Sequence, residues 1–482
     1  MIADSAPLAD TGRDEARADP RWRVLELLRR HGWNTTSFQV LERGFAYWFH
    51  PELDACVAYV DTGRAWVAAG VPIAALEDVS RCADAFVAAA RARGRRACFF
   101  AVEDRFLRVA RVSSMPIGEQ PSWDPADWAS VLRGDRRLRE QLRRARAKGV
   151  VVRAIDRSEI ESADARIRGD VDALVARWLA SRKMAPMGFV VDVQLFEFVH
   201  ERRWFAAERD GRLVGLLVAV PVYQRQGWFF EDLLRVPDAP NGTTELLFDA
   251  AMRAVAEEGS RYVTLGLAPL AGSVSPWLRF VRTCAAPLYD FDGVRRFKAK
   301  LRPSEWAPIH LAWPEGTSGN VALLDALSAF TLRYRDGHAR GSFVRFGLET
   351  LAHAPALGVR VLALCLVPWT LALALAPTER FFPSSAVQIA WVVWNLALGT
   401  AMLSLAFRWR PTLARALAMA TLADAIVTFV EVAVDGAHRA RGALDAFVLL
   451  VACLGPTLAT SQLWGALLWR SRLDARASAR ER

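Results

Sequence analysis

The chain has 482 residues, of which 53% are hydrophobic, and its 62 basic and 52 acidic residues give a net charge of +10. A mean hydropathy of +0.13 excludes disorder as the main state, because disordered chains contain few apolar residues. At roughly 150 residues per domain, this length predicts about three units. Strong charge and high hydrophobicity coexist when a basic soluble part is joined to a membrane part.

The first 21 residues are polar and acidic, and they lack the basic and apolar regions of a secretory signal. We expect a disordered tail at 1–21 that stays in the cytoplasm. Single cysteines without CxxC spacing favour buried thiols in a reducing compartment over disulfides or a zinc ribbon. These cysteines are Cys56, Cys82, Cys98, Cys284, Cys365 and Cys453.

Two segments of the chain, 55–102 and 203–267, share one order of elements: a hairpin, then a helix, then a strand. The hairpin turns contain Gly63 and Gly211, and both helices are followed by a glycine. This order predicts a tandem duplication of an acetyltransferase-like α/β fold. The predicted domains are residues 22–130 and a second, catalytic domain at 131–315.

A strongly basic helix is predicted between the two copies. Residues 133–148 contain eight basic and two acidic residues. Such a helix neutralises the phosphates of a nucleic acid or attracts anionic lipid. The alternative is a solvated amphipathic helix whose apolar positions face the core (Leu132, Leu138 and Leu142). The predicted substrate-binding residues here are Arg136, Arg137, Arg143 and Arg144.

The turn at 236–243 corresponds to the loop in which acyl-CoA-dependent acetyltransferases bind pyrophosphate through backbone N–H groups. It contains one glycine, two prolines and an acid, which disfavours coenzyme A. Just before it, Asp232 is suited to hold an ammonium or a hydroxyl group, and Arg235 to bind phosphate bidentately. A structural salt bridge between these two side chains is the alternative.

Lysine is rare in this chain, with four lysines among the 62 basic residues, and two of them are Lys298 and Lys300. An ammonium group is compact and able to lose its proton, whereas a guanidinium stays charged. The composition therefore favours a chemical role for this pair. The alternative is chance placement on the surface.

After residue 355 four apolar runs approach the roughly 20 residues that cross a bilayer. Arginines group after the second and fourth runs, which predicts that both chain ends are cytoplasmic; four core helices of a soluble domain are the alternative. Asp424 and Glu431 share one face of the third run, where they line a headgroup path, pack against arginines or lie at the interface. The runs are 361–377, 386–407, 412–434 and 444–469, within a membrane part at 355–470 that lies between a linker at 316–354 and a basic cytoplasmic tail at 471–482.

These segments together resemble the catalytic domain of the phosphatidylglycerol lysyltransferases and alanyl-phosphatidylglycerol synthases, the multiple peptide resistance factors. The resemblance covers roughly residues 22–315 and depends most on the motifs DLLR, LGLAPL and FKAK in this order. The matching segments are WVAAGVPI (66–73), GRRACFFAVE (94–103), EDLLRVPDAPNGTTELLFDAA (231–251), VTLGLAPLAG (263–272) and FDGVRRFKAKLRPSEWAPIHLAWP (291–314).

The resemblance implies transfer of an amino acid, lysine or alanine, from aminoacyl-tRNA to a hydroxyl of phosphatidylglycerol or a related anionic phospholipid. This reaction changes membrane charge and resistance to cationic peptides, and it implies no cofactor, no metal and no DNA. The enzyme would be a multi-pass protein of the bacterial inner membrane with a cytoplasmic catalytic domain. By motif, Asp232, Arg235 and Lys300 are the expected catalytic residues, and Glu231 and Lys298 bind substrate.

Two features depart from that family. Four spans follow the catalytic domain instead of many spans before it, and the segment before FKAK lacks an expected glutamate. These departures leave open lipid flipping, the amino acid and the lipid acceptor. The competing hypotheses are an acyl-CoA-dependent acyltransferase acting on a lipid or envelope precursor, and a non-catalytic binding module tethered to the membrane.

Overall fold

The computed structural model describes residues 19–162, 165–182, 184–286, 288–335, 338–353, 355–436 and 442–480. The predicted tail at 1–21 falls almost entirely outside the described residues. The chain divides into two compact units. The first unit contains residues 1–182 and 186–343, and the second contains residues 183–185 and 344–482.

The first unit contains one large mixed sheet and one small hairpin. The strands are β1 (Ala46–Phe49), β2 (Cys56–Asp61), β3 (Ala65–Ala69), β4 (Arg96–Val102), β5 (Val112–Trp123), β6 (Val151–Ala154), β7 (Arg203–Arg209), β8 (Arg212–Val222), β9 (Gly227–Arg235), β10 (Tyr262–Thr264), β11 (Ala268–Pro269), β12 (Glu305–Pro314), β13 (Arg333–Arg335) and β14 (His338–Arg340). The order in the large sheet is β1-β2-β3-β4-β12-β5-β10-β9-β8-β7-β6, with β11 also paired to β5.

Helices flank the sheet in the first unit and make up the second unit. In the first unit they are α1 (Pro20–His31), α2 (Val79–Ala92), α3 (Asp104–Leu107), α4 (Trp128–Gly134), α5 (Arg136–Ala147), α6 (Arg157–Glu161), α7 (Arg166–Ala180), α8 (Thr243–Glu257), α9 (Pro276–Ala285), α10 (Phe291–Lys300) and α11 (Gly319–Thr331). Then follow α12 (Phe343–His353), α13 (Pro355–Leu375), α14 (Thr378–Phe381), α15 (Ser385–Phe407), α16 (Pro411–Glu431) and α17 (Ala443–Arg480).

The predicted duplication is visible in the sheet. In the first copy, β2 and β3 form a hairpin, and α2 leads into β4, which runs parallel to β3. In the second copy, the equivalent hairpin is β8–β9, which lies one strand later than the predicted β7–β8 hairpin that contains Gly211. From it, α8 leads into β10, which runs parallel to β9. A parallel pair needs such a helical crossover, whereas an antiparallel pair needs only a turn. The α/β acetyltransferase-like fold, used twice, is confirmed.

The turn between β7 and β8 shows how the sequence sets this geometry. Asp210 and Gly211 have φ angles of +51° and +71°. A two-residue hairpin turn with two positive φ angles matches the right-handed twist of the flanking strands. Aspartate and glycine are among the residues that adopt this conformation at low cost, so the Asp-Gly pair fixes the register of the hairpin.

The two copies are joined by a strand from far along the chain. β12 inserts between β4 and β5 and pairs antiparallel with both. The first copy is therefore completed by residues that follow the second copy in sequence. The division at residue 130 remains a prediction, since the sheet runs without interruption through both copies.

The region predicted as a linker, 316–354, contains packed structure. On α11, Ala322, Ala326 and Ala329 are buried in the core of the first unit. Asp325, on the same helix, forms an ion pair with Arg96 at 2.6 Å. The linker prediction missed this helix, and the division between the units falls near residue 343.

The second unit contains four helices long and apolar enough to cross a membrane, as the sequence predicts. These candidate spans are Gly358–Leu375, Ser385–Phe407, Pro411–Val434 and Val448–Leu468. The predicted tail at 471–482 continues the last helix as far as Arg480, and residues 481–482 lie outside the described residues.

The second unit contains the two membrane-depth acids and two of the cysteines that the sequence analysis singled out. Asp424 is buried within the bundle, and Glu431 accepts a hydrogen bond from the Trp391 indole at 3.1 Å. Of the six cysteines, four are buried as expected, but Cys365 is exposed on the first span, which corrects its prediction. A membrane helix turns apolar side chains outward as well as inward, so an apolar run does not predict burial within the protein. The side chain of Cys284 is not among those that the structure describes.

Candidate active site

A gap in the sheet lies beside the predicted DLLR motif. β9 and β10 pair only over Gly227–Phe229 and Tyr262–Thr264. Beyond this point β9 continues to Arg235, while the other strand leaves towards β11, which pairs with β5. Among the described residues, the second half of β9 therefore has no strand partner on this side. The residues predicted to carry the chemistry lie on this half strand.

Lys298 binds the segment after β10, which forms the other side of the gap. Its side chain is buried, and its Nζ donates hydrogen bonds to the backbone carbonyls of Leu265, Gly266 and Leu267 at 2.9, 2.8 and 2.8 Å. Burial lowers the pKa of Lys298 to about 7. Three carbonyl acceptors require three N–H donors, which only the ammonium form has, so this geometry opposes the loss of the proton.

The three donors of Lys298 are thus taken by the main chain, and none is left for a lipid or tRNA phosphate. This placement disagrees with the predicted substrate contact for Lys298. The lysine instead fixes the path of the chain through the LGLAPL motif, in place of the strand partner that the gap removes.

An acidic cluster lies at the start of the unpaired half of β9. Arg202 is buried and forms ion pairs with Glu231 at 2.8 Å and with Glu42 at 3.5 Å. Asp232 adjoins them. The Arg202 guanidinium is therefore paired with two carboxyl groups, and its positive charge also acts on Asp232. Glu42 Oε2 and Glu231 Oε1 are buried and have no hydrogen-bond partner within the described part of the chain.

The crowding of these acids changes their protonation. Burial, together with the negative charge of Glu231 and against the attraction of Arg202, raises the pKa of Asp232 to about 8. Burial and the negative charges of Glu231 and Asp232, against the attraction of Arg202, raise the pKa of Glu42 well above its usual value. A cation brought beside the cluster would lower both pKa values and satisfy the orphaned oxygens.

Arg235 lies at the end of the same strand, apart from the acids. Its Nη1 donates to the carbonyl of Ala239 at 3.2 Å, and no ion pair joins it to Asp232 among the described residues. The alternative of a structural salt bridge between these two is therefore wrong. Burial and the positive charge of Arg235 lower the pKa of Arg182. Two neighbouring guanidinium groups offer a position for a phosphate.

Lys300 lies beside the first turn of helix α8. Its Nζ contacts Glu245, in the first turn of that helix, at 2.6 Å. Gly242 precedes this turn, and its φ of +96° suits glycine. Its Cα also lies close to α5, so a Cβ here would meet the Gln141 carbonyl oxygen at 2.7 Å. A buried carboxylate and a covering helix occupy the place where a pyrophosphate would bind, which disfavours coenzyme A further.

A cavity of about 770 Å³ is lined by Lys300 and by residues of the basic helix α5. Its walls include Arg136, Arg137 and Arg144 from α5, and Arg302 beyond the end of α10. The structure thus brings together four residues that the sequence predicts separately as site residues. Within the described residues, neither Arg136 nor Arg137 makes a side-chain hydrogen bond or an ion pair.

Three basic residues of α5, namely Arg143, Arg144 and Arg146, form ion pairs with carboxylates of the first unit. Glu140 accepts hydrogen bonds from both Arg143 and Arg144, and these bonds lower its pKa to about 2. Arg143 does not line the cavity. The apolar face of the helix is buried, as the amphipathic alternative expects, so the helix has a packed side and a basic side. The buried residues are Leu138, Leu142 and Ala145.

Sequence reasoning missed three residues of this arrangement. Glu42, Arg202 and Glu245 are brought to the site from three separate parts of the chain. No motif marks Glu42 or Arg202, and an acid in the first turn of a helix is an ordinary capping feature. The unpaired carboxylate oxygens become visible only when the distant segments meet.

The fold and the site together define a class. A gap between parallel strands with a helix starting beside it is typical of acetyltransferase-like proteins, and here two such copies share one sheet. The gap holds three carboxyl groups beside Arg202, and the cavity is lined by Lys300 and four arginines together with Asp135 and Glu140. This chain is thus a tandem acetyltransferase-like protein with four candidate membrane spans.

Comparisons with known proteins define the family. The family model described as "Phosphatidylglycerol lysyltransferase, C-terminal" matches residues 25–313, more than half of the chain. The chain therefore belongs to this family. Phosphatidylglycerol lysyltransferase from Bacillus subtilis (strain 168) is 32% identical over 123 residues. That match spans 24% of this chain but only 14% of the relative.

Two solved structures share the fold. The C-terminal domain of a putative lysylphosphatidylglycerol synthetase from Agrobacterium fabrum has a TM-score of 0.57 and 23% identity, covering 67% of this chain and 99% of that one. The structure of L-PGS from Bacillus licheniformis has a TM-score of 0.54 and 18% identity, covering 64% of this chain and 95% of that one. At these identities the likeness is one of fold.

Proposed function

We propose that this membrane protein is an aminoacyltransferase that moves an amino acid from aminoacyl-tRNA to a hydroxyl of phosphatidylglycerol or a related anionic lipid. The observation that carries the proposal is an acidic cluster with orphaned oxygens in the same unit as a cavity whose walls include Arg136 and Arg137, which have no ion pair among the described residues. Aminoacyl-tRNA is a polyphosphate that ends in an ammonium group, so it needs both kinds of surface.

The acidic cluster is our site for the ammonium. Glu42, Glu231 and Asp232 outnumber Arg202, and a buried carboxylate without a partner is costly. The α-ammonium of an aminoacyl group would relieve part of that cost, and a second ammonium on the side chain would relieve more. We therefore expect lysine in preference to alanine, and L-lysine amide should inhibit more strongly than L-alanine amide.

The reaction is the exchange of one ester for another. The lipid hydroxyl oxygen attacks the carbonyl carbon, a new C–O bond forms, and the bond to the ribose oxygen breaks. Asp232 takes the proton from the lipid hydroxyl and returns it to the ribose oxygen. A carboxyl group with a pKa near neutrality suits this exchange, and the bound ammonium ionises it beforehand.

The remaining residues position the two substrates. Arg235 binds the lipid phosphate, while Arg136 and Arg137 bind phosphates of the tRNA acceptor end. Lys300 places positive charge at the edge of the basic cavity, and Lys298 acts as a positioning residue that keeps the gap open. Because tRNA is cytoplasmic, the first unit faces the cytoplasm, and the product would reduce the negative charge that attracts cationic peptides.

Expression in cells that lack aminoacylated lipids tests this proposal. We expect a ninhydrin-positive phospholipid with the wild-type chain, and none with Asp232→Asn at equal protein level. The matched control is Asp238→Asn, because Asp238 is exposed on the following loop and, within the described residues, forms an ion pair with Arg177 alone. Membrane activity should also disappear after RNase treatment. Product formation that survives RNase, or that consumes acyl-CoA, would overturn the proposal.

A further inference from the structure

Helix α9 presents two large aromatic side chains to solvent. Trp277 is 51% exposed and Phe280 is 66% exposed, and the latter is the most exposed aromatic side chain among the described residues of the first unit. Residues three apart on a helix share a face. The opposite side of the helix is held by Leu278, which is buried, and Ser275 caps its first turn. The outward face is therefore a fixed feature of a packed helix.

The charges around this face fit an anionic surface. Arg279, which lies between the two aromatics in sequence, is exposed, and its guanidinium makes no hydrogen bond or ion pair within the described residues. Arg296, on the neighbouring helix α10, is also largely exposed, and it lies 3.9 Å from Asp290. Tryptophan, phenylalanine and arginine on one short helix are the composition of helices that lie in the headgroup layer of a bilayer.

The same helix is attached to the wall of the gap. The chain passes directly from the segment that Lys298 holds, through β11, into α9. Arg282 donates a hydrogen bond to the Leu270 carbonyl at 3.1 Å, which ties the helix to the end of that segment. A surface that enters the headgroup layer here would bring lipid to one side of the gap.

We infer that α9 is a membrane-interface helix, which inserts Trp277 and Phe280 between anionic phospholipids and marks where the lipid acceptor enters the gap. The occupant is a bilayer surface because the chain itself carries four candidate spans and so is held beside one. Arginine beside exposed aromatics complements lipid phosphate, and a few such side chains give local binding that the spans make persistent. The entry role rests on the proposed function, whereas the membrane contact does not.

Photo-crosslinking of the full chain in nanodiscs of phosphatidylglycerol and phosphatidylcholine tests the membrane contact. A benzophenone amino acid is placed at Phe280 or, as the control, at Val151, which is equally exposed at 66% on the same unit. We expect lipid adducts at position 280 in roughly fivefold excess over position 151. Equal yields at the two positions, or adducts to protein at position 280, would overturn the inference.

Activity separates the entry role from the chemistry. The double variant Trp277→Ser and Phe280→Ser should transfer roughly fivefold more slowly to lipid in a bilayer, but at the wild-type rate to lipid dispersed in detergent micelles. A loss in both settings would contradict the entry role. If the wild-type chain makes no aminoacyl lipid at all, the proposed function fails, while the crosslinking result still decides whether α9 contacts lipid.

Discussion

Asp232 is the residue at which folding and chemistry oppose one another. Its raised pKa means that the fold favours the protonated form, so this group supports folding below its unfolded pKa of 3.8 and loses that support as pH rises towards about 8. The variant Asp232→Asn lacks this titration. We expect its melting temperature in detergent to exceed that of the wild type by several degrees at pH 8.

The control for this prediction is the same pair of proteins at pH 4.5, where the difference should be much smaller, because Asp232 is still protonated in the folded wild type and only a small part of its support has been lost. A difference that stays constant from pH 4.5 to pH 8 would mean that the pKa of Asp232 is not raised in the folded protein. A saturating amount of L-lysine amide should raise the melting temperature of the wild type at pH 8 and leave the variant less affected.

The two lysines of the FKAK motif should respond differently to substitution. Lys298→Met removes three hydrogen bonds and leaves three carbonyls beside an apolar chain, so we expect a loss of about 3 kcal/mol in stability. Lys300→Met removes one ion pair of a partly exposed lysine and should cost less stability while still removing product. Thermal unfolding and lipid analysis on both variants check this, and equal destabilisation would contradict the separate roles.

The sequence predicted which residues matter at the gap better than it predicted their contacts. The rarity of lysine and the DLLR motif pointed to Lys298, Lys300 and Asp232, and the structure places all three beside the gap or the cavity. Their partners come from distant segments, so no local pattern could distinguish a lysine held by carbonyls from one held by a carboxylate.

At the level of elements, α5 combines a buried apolar face with a basic face. The amphipathic packing is confirmed, and phosphate binding by the basic face stays a prediction. We expect the double variant Arg136→Gln and Arg137→Gln to weaken tRNA binding and to reduce the slope of log affinity against log salt by about 1.5. Filter binding at several salt concentrations measures this slope.

Arg143→Gln is the matched control for that experiment. Arg143 lies on the same helix, but it is already paired with Glu140 and lies outside the cavity wall. Its loss should change the salt slope by much less than one unit. An effect of Arg143→Gln as large as that of the double variant would show that the whole helix, and not the cavity, attracts the nucleic acid.

Most elements followed from their patterns, but the connection between the copies did not. Glycine turns and apolar alternation mark the hairpins locally, and the repeated order reveals the duplication. The position of β12 between β4 and β5 depends on a pairing across nearly 200 residues, and α11 packs through alanines that look like an apolar linker. Neither the position of β12 nor the packing of α11 can therefore be predicted from a short stretch of sequence.

For the molecule as a whole, the charged and the apolar residues fall into two units, one suited to water and one suited to a bilayer. The first unit contains the acidic cluster and the basic cavity, and the second contains the four spans. The apolar runs alone predicted the spans to within a few residues, since a helix that crosses a bilayer must be apolar over a fixed length. Their lipid-facing side chains, such as Cys365, could not be told from core residues.

The orientation of the spans is the last consequence of the proposed function. Aminoacyl-tRNA is cytoplasmic, so the segments before the first span and after the last should both be cytoplasmic, and the arginines after the second span agree with this. A phosphatase reporter that is active only outside the cytoplasm should be active when inserted at Pro383 and inactive after Arg410. The reverse pattern would place the first unit on the side without tRNA, and the proposed donor would then be impossible.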